Sequence, residues 1–69
     1  MIEITLRDEF IKLGQAVKAA GLVDNGAEAK IVIQNGEVKV NGETDVRRGR
    51  KLVAGDVVEF NGETIRIVK

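Results

Sequence analysis

The apolar residues of this chain change their spacing twice, and nothing else in the sequence restricts the fold as strongly. Ile2, Ile4 and Leu6 alternate with Glu3 and Thr5, the period of a half-buried strand. From Phe10 the spacing becomes helical. Phe10, Leu13, Val17 and Ala20 share one stripe, with Gly14, Ala16 and Gly21 small enough for close packing. Asp8 is placed to cap this helix, and Gly21 to stop it. The first helix is therefore expected over roughly Glu9 to Ala20.

A second helix is expected after Asp24. Asn25 and Glu28 have the spacing of a capping box. Ala29, Val32 and Ile33 form its apolar stripe, with Ile31 on the flank. Lys30 and Gln34 lie four apart on the opposite side, and Asn35-Gly36 closes the helix. After Gly36 the period returns to two, with Val38 and Val40 alternating with Glu37 and Lys39. Asn41-Gly42 and Asn61-Gly62 are hairpin turns, Ala54-Gly55-Asp56 is a further turn, and strands are expected over 57–60 and 65–68. Strand, helix, helix, then short strands is an α+β order. It predicts a helical pair packed on a small, mainly antiparallel sheet, as one domain over residues 1–69.

Composition narrows the chemistry. A chain of 69 residues has a thin core. It contains no cysteine and no histidine, which excludes disulfides, thiol chemistry, a histidine base and the usual zinc sites. Serine and tyrosine are also absent, so Thr5, Thr44 and Thr64 are the only hydroxyl side chains. A threonine nucleophile without an evident base is a poor catalyst, and no spacing singles out a pair of carboxylates. No enzyme activity, cofactor or metal is expected. No apolar run approaches the roughly 20 residues of a membrane span. Acids stand near the start where a signal peptide would carry bases, so a cytoplasmic location is expected.

Eleven basic residues balance eleven acids, which taken alone argues against nucleic acid. The charge is unevenly spread, however. Arg47-Arg48-Gly49-Arg50-Lys51 places four cations around one glycine. Guanidinium forks match phosphate oxygens, and a glycine lets the backbone approach them. The competing reading is a solvated loop that offsets Glu43 and Asp45. Lys12, Gln15, Lys18 and Lys30 supply polar helix surface, read one by one as solubilising. Phe10 and Phe60 fall on apolar periods and are expected in the core, which leaves no exposed ring for stacking bases.

In order along the chain come Gly26-Ala27-Glu28-Ala29-Lys30, Gly36-Glu37-Val38-Lys39-Val40-Asn41-Gly42, Arg47-Arg48-Gly49-Arg50-Lys51-Leu52 and Ala54-Gly55-Asp56-Val57-Val58. This succession resembles the RNA-binding domain of the ribosomal protein S-four type, and is most similar to its small single-domain bacterial members. Ile11-Lys12-Leu13-Gly14-Gln15 and Ala19-Ala20-Gly21-Leu22 extend the likeness over nearly the whole chain. The resemblance implies a two-helix RNA-binding motif of the alpha-L type. It implies an RNA face on or near Lys12, Gln15, Lys30, Gln34, Lys39 and Asn41, extended by Arg47, Arg48, Arg50 and Lys51. Lys12 stands where many members have Arg, and Asn25-Gly26 where many have Ser-Arg.

The expected function is non-enzymatic binding of structured RNA, with ribosomal RNA among the candidates, by a monomer. The alternative is a protein-interaction module that kept the fold and lost strong RNA affinity, its partner an acidic protein. A small carrier of the ubiquitin-like type is disfavoured because the chain ends Ile67-Val68-Lys69 where such carriers end in Gly-Gly.

Overall fold

The computed structural model describes all 69 residues. The elements are β1 (Ile2–Thr5), β2 (Ile11–Lys12), α1 (Leu13–Ala19), α2 (Gly26–Gln34), β3 (Val38–Val40), β4 (Glu43–Thr44), β5 (Lys51–Leu52), β6 (Val57–Phe60) and β7 (Glu63–Val68). Five strands form one sheet in the order β1-β7-β6-β3-β4, and β2 pairs with β5 in a separate ribbon. β1 runs parallel to β7, Ile2 opposite Ile65 and Ile4 opposite Ile67. The other pairs are antiparallel, so the expected α+β architecture with a mainly antiparallel sheet is the one observed.

One face of the sheet is apolar and carries the helices. Val38, Val40, Val58, Ile65 and Ile67 are buried with Leu13, Ala16 and Val17 of α1 and with Ala29 and Ile33 of α2. The other face carries Glu3, Lys39, Glu59, Thr64 and Arg66, the alternate positions of the same strands. The period of two thus separates core from solvent, as strand geometry requires.

Both helices end in the same way. Leu22 N–H donates to Val17 O at 3.2 Å and Glu37 N–H to Val32 O at 3.1 Å, each across a glycine with positive φ, Gly21 at 75° and Gly36 at 77°. These are the closing bonds of the Schellman motif. At the start of α2, Asn25 Oδ1 accepts from Glu28 N–H at 2.8 Å as expected. The return bond is displaced by one residue, since Glu28 Oε1 accepts from Asp24 N–H at 2.7 Å.

The start of the first helix differs from the sequence reading. α1 begins at Leu13, not near Glu9, and its cap position is Lys12, not Asp8. Ile11 and Lys12 are extended and pair with Leu52 and Lys51. Residues 9–12 follow the helical apolar period, but the pairing of Ile11 and Lys12 with β5 holds those two extended. Gln15 serves the new terminus by accepting from Lys12 N–H at 3.2 Å. Phe10 also leaves the core stripe: it is half-buried, and Lys51 Nζ lies 4.8 Å from its ring centroid. That is the distance of a cation–π contact.

The two Asn-Gly turns have equal backbones and unequal side chains. Asn41 and Asn61 both have φ 52° and are followed by glycines of positive φ, the requirement of a tight hairpin. Asn41 Nδ2 also donates to Asp56 Oδ1 at 3.0 Å, and its Oδ1 accepts from Val57 N–H at 2.9 Å. Replacing Asn41 by Ala should therefore cost about 2 kcal/mol in denaturant unfolding, against about 1 kcal/mol for Asn61→Ala, since only the first also loses cross-strand bonds. Equal losses at the two positions would show that the bonds to Asp56 and Val57 contribute nothing.

Candidate nucleic-acid interface

The basic loop is built around one acid. Asp45 is 6% exposed and is the only buried charged residue. Its Oδ1 accepts from Arg47 N–H at 2.9 Å and Arg47 Nε at 3.1 Å. Its Oδ2 accepts from Arg47 Nη2 at 2.9 Å and Arg50 Nη1 at 2.7 Å. The Arg47 guanidinium bond is the main reason that its carboxyl lies far below the usual carboxylate range; burial opposes the shift and Arg50 reinforces it. Asp45 is therefore ionised throughout the neutral range. The expectation that the loop offsets a nearby acid applies to Arg47 and Arg50. Arg47 keeps 69% of its side chain exposed and Arg50 30%.

The backbone of the same loop caps α1. Leu13 N–H donates to Arg50 O at 2.8 Å and Gly14 N–H to Arg48 O at 2.9 Å. Two orphan donors of the helix start are thus satisfied by loop carbonyls. A Cβ at Gly14 would meet Arg48 O at 3.5 Å and Arg48 Cβ at 3.6 Å, ordinary van der Waals contact, so the loop packs closely on the helix start without requiring glycine there.

Between α1, the start of α2 and this loop lies a cleft of about 430 Å³. Lys12, Lys18 and Arg48 line it with Gln15, and Gly14, Gly26 and Gly49 leave its walls low. No acid lines it. In a chain of zero net charge, three cations thus converge on one concave surface, where a local field acts independently of the total charge.

The sequence-derived candidates separate in space. Lys12, Gln15 and Arg48 meet in the cleft. Lys30 and Gln34 are exposed on α2, at four-residue steps from Gly26, so they continue a helix row outward from the cleft rim. Lys39 lies on the outer sheet face, opposite Glu59. Asn41 is occupied by its turn bonds, and Lys51 by the Phe10 ring. Lys18, solubilising surface by sequence, also lines the cleft. The signal for it in the sequence is the three-residue spacing of Gln15 and Lys18, which places both along one side of α1.

Two helices and a loop thus close on a cationic, glycine-walled cleft carried by a small sheet. The family model of the S4 domain matches residues 4–68, and the chain belongs to that family. It is 49% identical over 59 residues to the probable ribosome maturation protein RlbA of Bacillus subtilis, covering 86% of this chain and 83% of that one. It is 40% identical over 58 residues to the putative RNA-binding protein YbcJ of Escherichia coli, covering 84% and 83% of the two chains. The solution structure of YbcJ, said to reveal a motif involved in RNA binding, superposes with a TM-score of 0.76 at 36% identity. It covers all of this chain and 89% of the other. Ribosomal protein S4e of Thermoplasma acidophilum gives a TM-score of 0.72 at 33% identity, covering 87% of this chain and 32% of that one.

Proposed function

We propose that this protein is a non-enzymatic RNA-binding domain that recognises structured RNA by cationic contacts to phosphates and by shape. The observation that carries the reading is the acid-free cleft of Lys12, Lys18 and Arg48. Lys12 approaches a phosphate from the extended residue before α1, Lys18 from α1 and Arg48 from the loop, while Gly14, Gly26 and Gly49 leave room for a sugar–phosphate chain. Lys30 and Gln34 lengthen the path along α2. The names of the bacterial relatives support RNA as the ligand, and RlbA supports ribosomal RNA as the first to try. In this reading the protein acts in the cytoplasm as a monomeric single domain without a cofactor, and its chemistry is binding alone.

The test is fluorescence anisotropy with a labelled RNA hairpin across a salt series, with a single strand of the same length as control. Three phosphates neutralised in the cleft give a slope of log K against log salt of about −2 to −3. The hairpin should bind more tightly than the single strand. No binding at low salt would overturn the RNA reading and favour the protein-interaction alternative.

A further inference from the structure

We propose that Asp45 is the positioning residue of the RNA cleft: it immobilises the basic loop so that Arg48 faces Lys12 and Lys18. The proposal rests on the RNA reading above and assigns the loop residues unequal roles within it. Arg47 and Arg50 are both held by the buried Asp45 carboxylate. The residues between them, Arg48 and Gly49, have no bond to Asp45 and line the cleft. On the other side, the carbonyls of Arg48 and Arg50 are fixed to the first two amides of α1. The loop is therefore clamped twice, by side chains onto Asp45 and by backbone onto the helix. Arg48 is left with its charge uncommitted and its direction set. Arg47 and Arg50 serve the clamp, and the Asp45 carboxylate offsets one of their two charges.

This division makes a prediction opposite in sign to charge counting. Asp45→Asn removes one negative charge and so raises the net charge by one, and a charge-count model predicts tighter RNA binding. If Asp45 positions Arg48, the same change loosens the loop and weakens binding. The expected loss is roughly tenfold, the order of one charge-assisted contact.

The measurement is hairpin RNA affinity by anisotropy for Asp45→Asn, Arg48→Ala and the double variant, each checked for folding by circular dichroism. Arg50→Gln, alone and with Arg48→Ala, provides a second route that leaves the Asp45–Arg47 bonds in place. Because Asp45 acts through Arg48, its loss should shrink to less than about twofold once Arg48 is Ala. Arg50→Gln should behave alike, whereas a direct phosphate contact would add to Arg48→Ala. Hydrogen exchange of the Leu13 and Gly14 amides should quicken in Asp45→Asn while the middle of α1 stays protected. Unchanged or tighter binding by Asp45→Asn, or losses that multiply in the double variants, would overturn the positioning role with the RNA reading intact. A wild type that binds no structured RNA at low salt overturns the RNA reading and the functional role together. Amide exchange then decides separately whether Asp45 holds the loop.

Discussion

Replacing Leu13 by Ala should remove about 3 kcal/mol of folding stability and lower the melting temperature by about 15 °C. Leu13 is fully buried and is the first residue of α1. Its side chain belongs to the core cluster shared by both helices and the sheet. Its amide is the one bonded to Arg50 O. A domain of this size holds only about 3–10 kcal/mol in total, so one cavity removes a large fraction of it. Denaturant unfolding monitored by circular dichroism reads the loss. A change below about 1 kcal/mol would mean that the site collapses around the smaller side chain, and that the core is less tightly packed than its burial indicates. The same variant should loosen the docked loop, because the helix start and the loop share two hydrogen bonds.

The second large effect separates the cleft from the rest of the cationic surface. Lys12→Gln with Arg48→Gln should weaken binding to the RNA hairpin about 100-fold, the product of two charge-assisted contacts. The slope of affinity against salt should become shallower by about 1.4 to 1.8. Lys39→Gln with Arg66→Gln removes the same formal charge from the outer sheet face, where both residues are exposed. That pair should change affinity by less than about threefold, since long-range charge is screened beyond about 10 Å at 0.1 M salt. Anisotropy on both double variants at one salt concentration decides the matter. Equal losses would show that RNA senses overall charge and that the cleft has no special role. A larger loss from the sheet pair would place the RNA on the opposite face, near Lys39.

Much of the architecture was legible because it rests on local rules. The strand alternation of Val38 and Val40, the Asn-Gly turns and the caps at Asn25 and Gly36 depend on a few consecutive residues. The start of the first helix is not legible, because residues 9–12 carry a helical apolar period while the partners of Ile11 and Lys12, Leu52 and Lys51, stand about forty positions away in the chain. No local pattern announces a two-residue pairing at that separation. β4 and β5 are two residues each, too short for any period to mark. Phe10 was misplaced for the same reason as the helix start.

The candidate site was legible in its parts but not in its assembly. The run from Arg47 to Lys51 is visible as a cluster of charge. Its partition is not, because that depends on which guanidinium reaches Asp45. A carboxylate two residues before Arg47 reads as ordinary charge balance until its burial is known. Lys18 looked like surface because each lysine on a short helix does, until α2 and the loop rise on either side of it.

Local residue patterns specify the class of fold, the turns, the cap of the second helix and the existence of a basic segment. Each of these is an interaction among neighbours, fixed by side-chain period and backbone preference. Long-range packing sets where the first helix begins, which cations bond Asp45 and which line the cleft together. Those outcomes depend on contacts between residues far apart in the chain, and on burial, which gives a single carboxylate at position 45 control over the loop beside it.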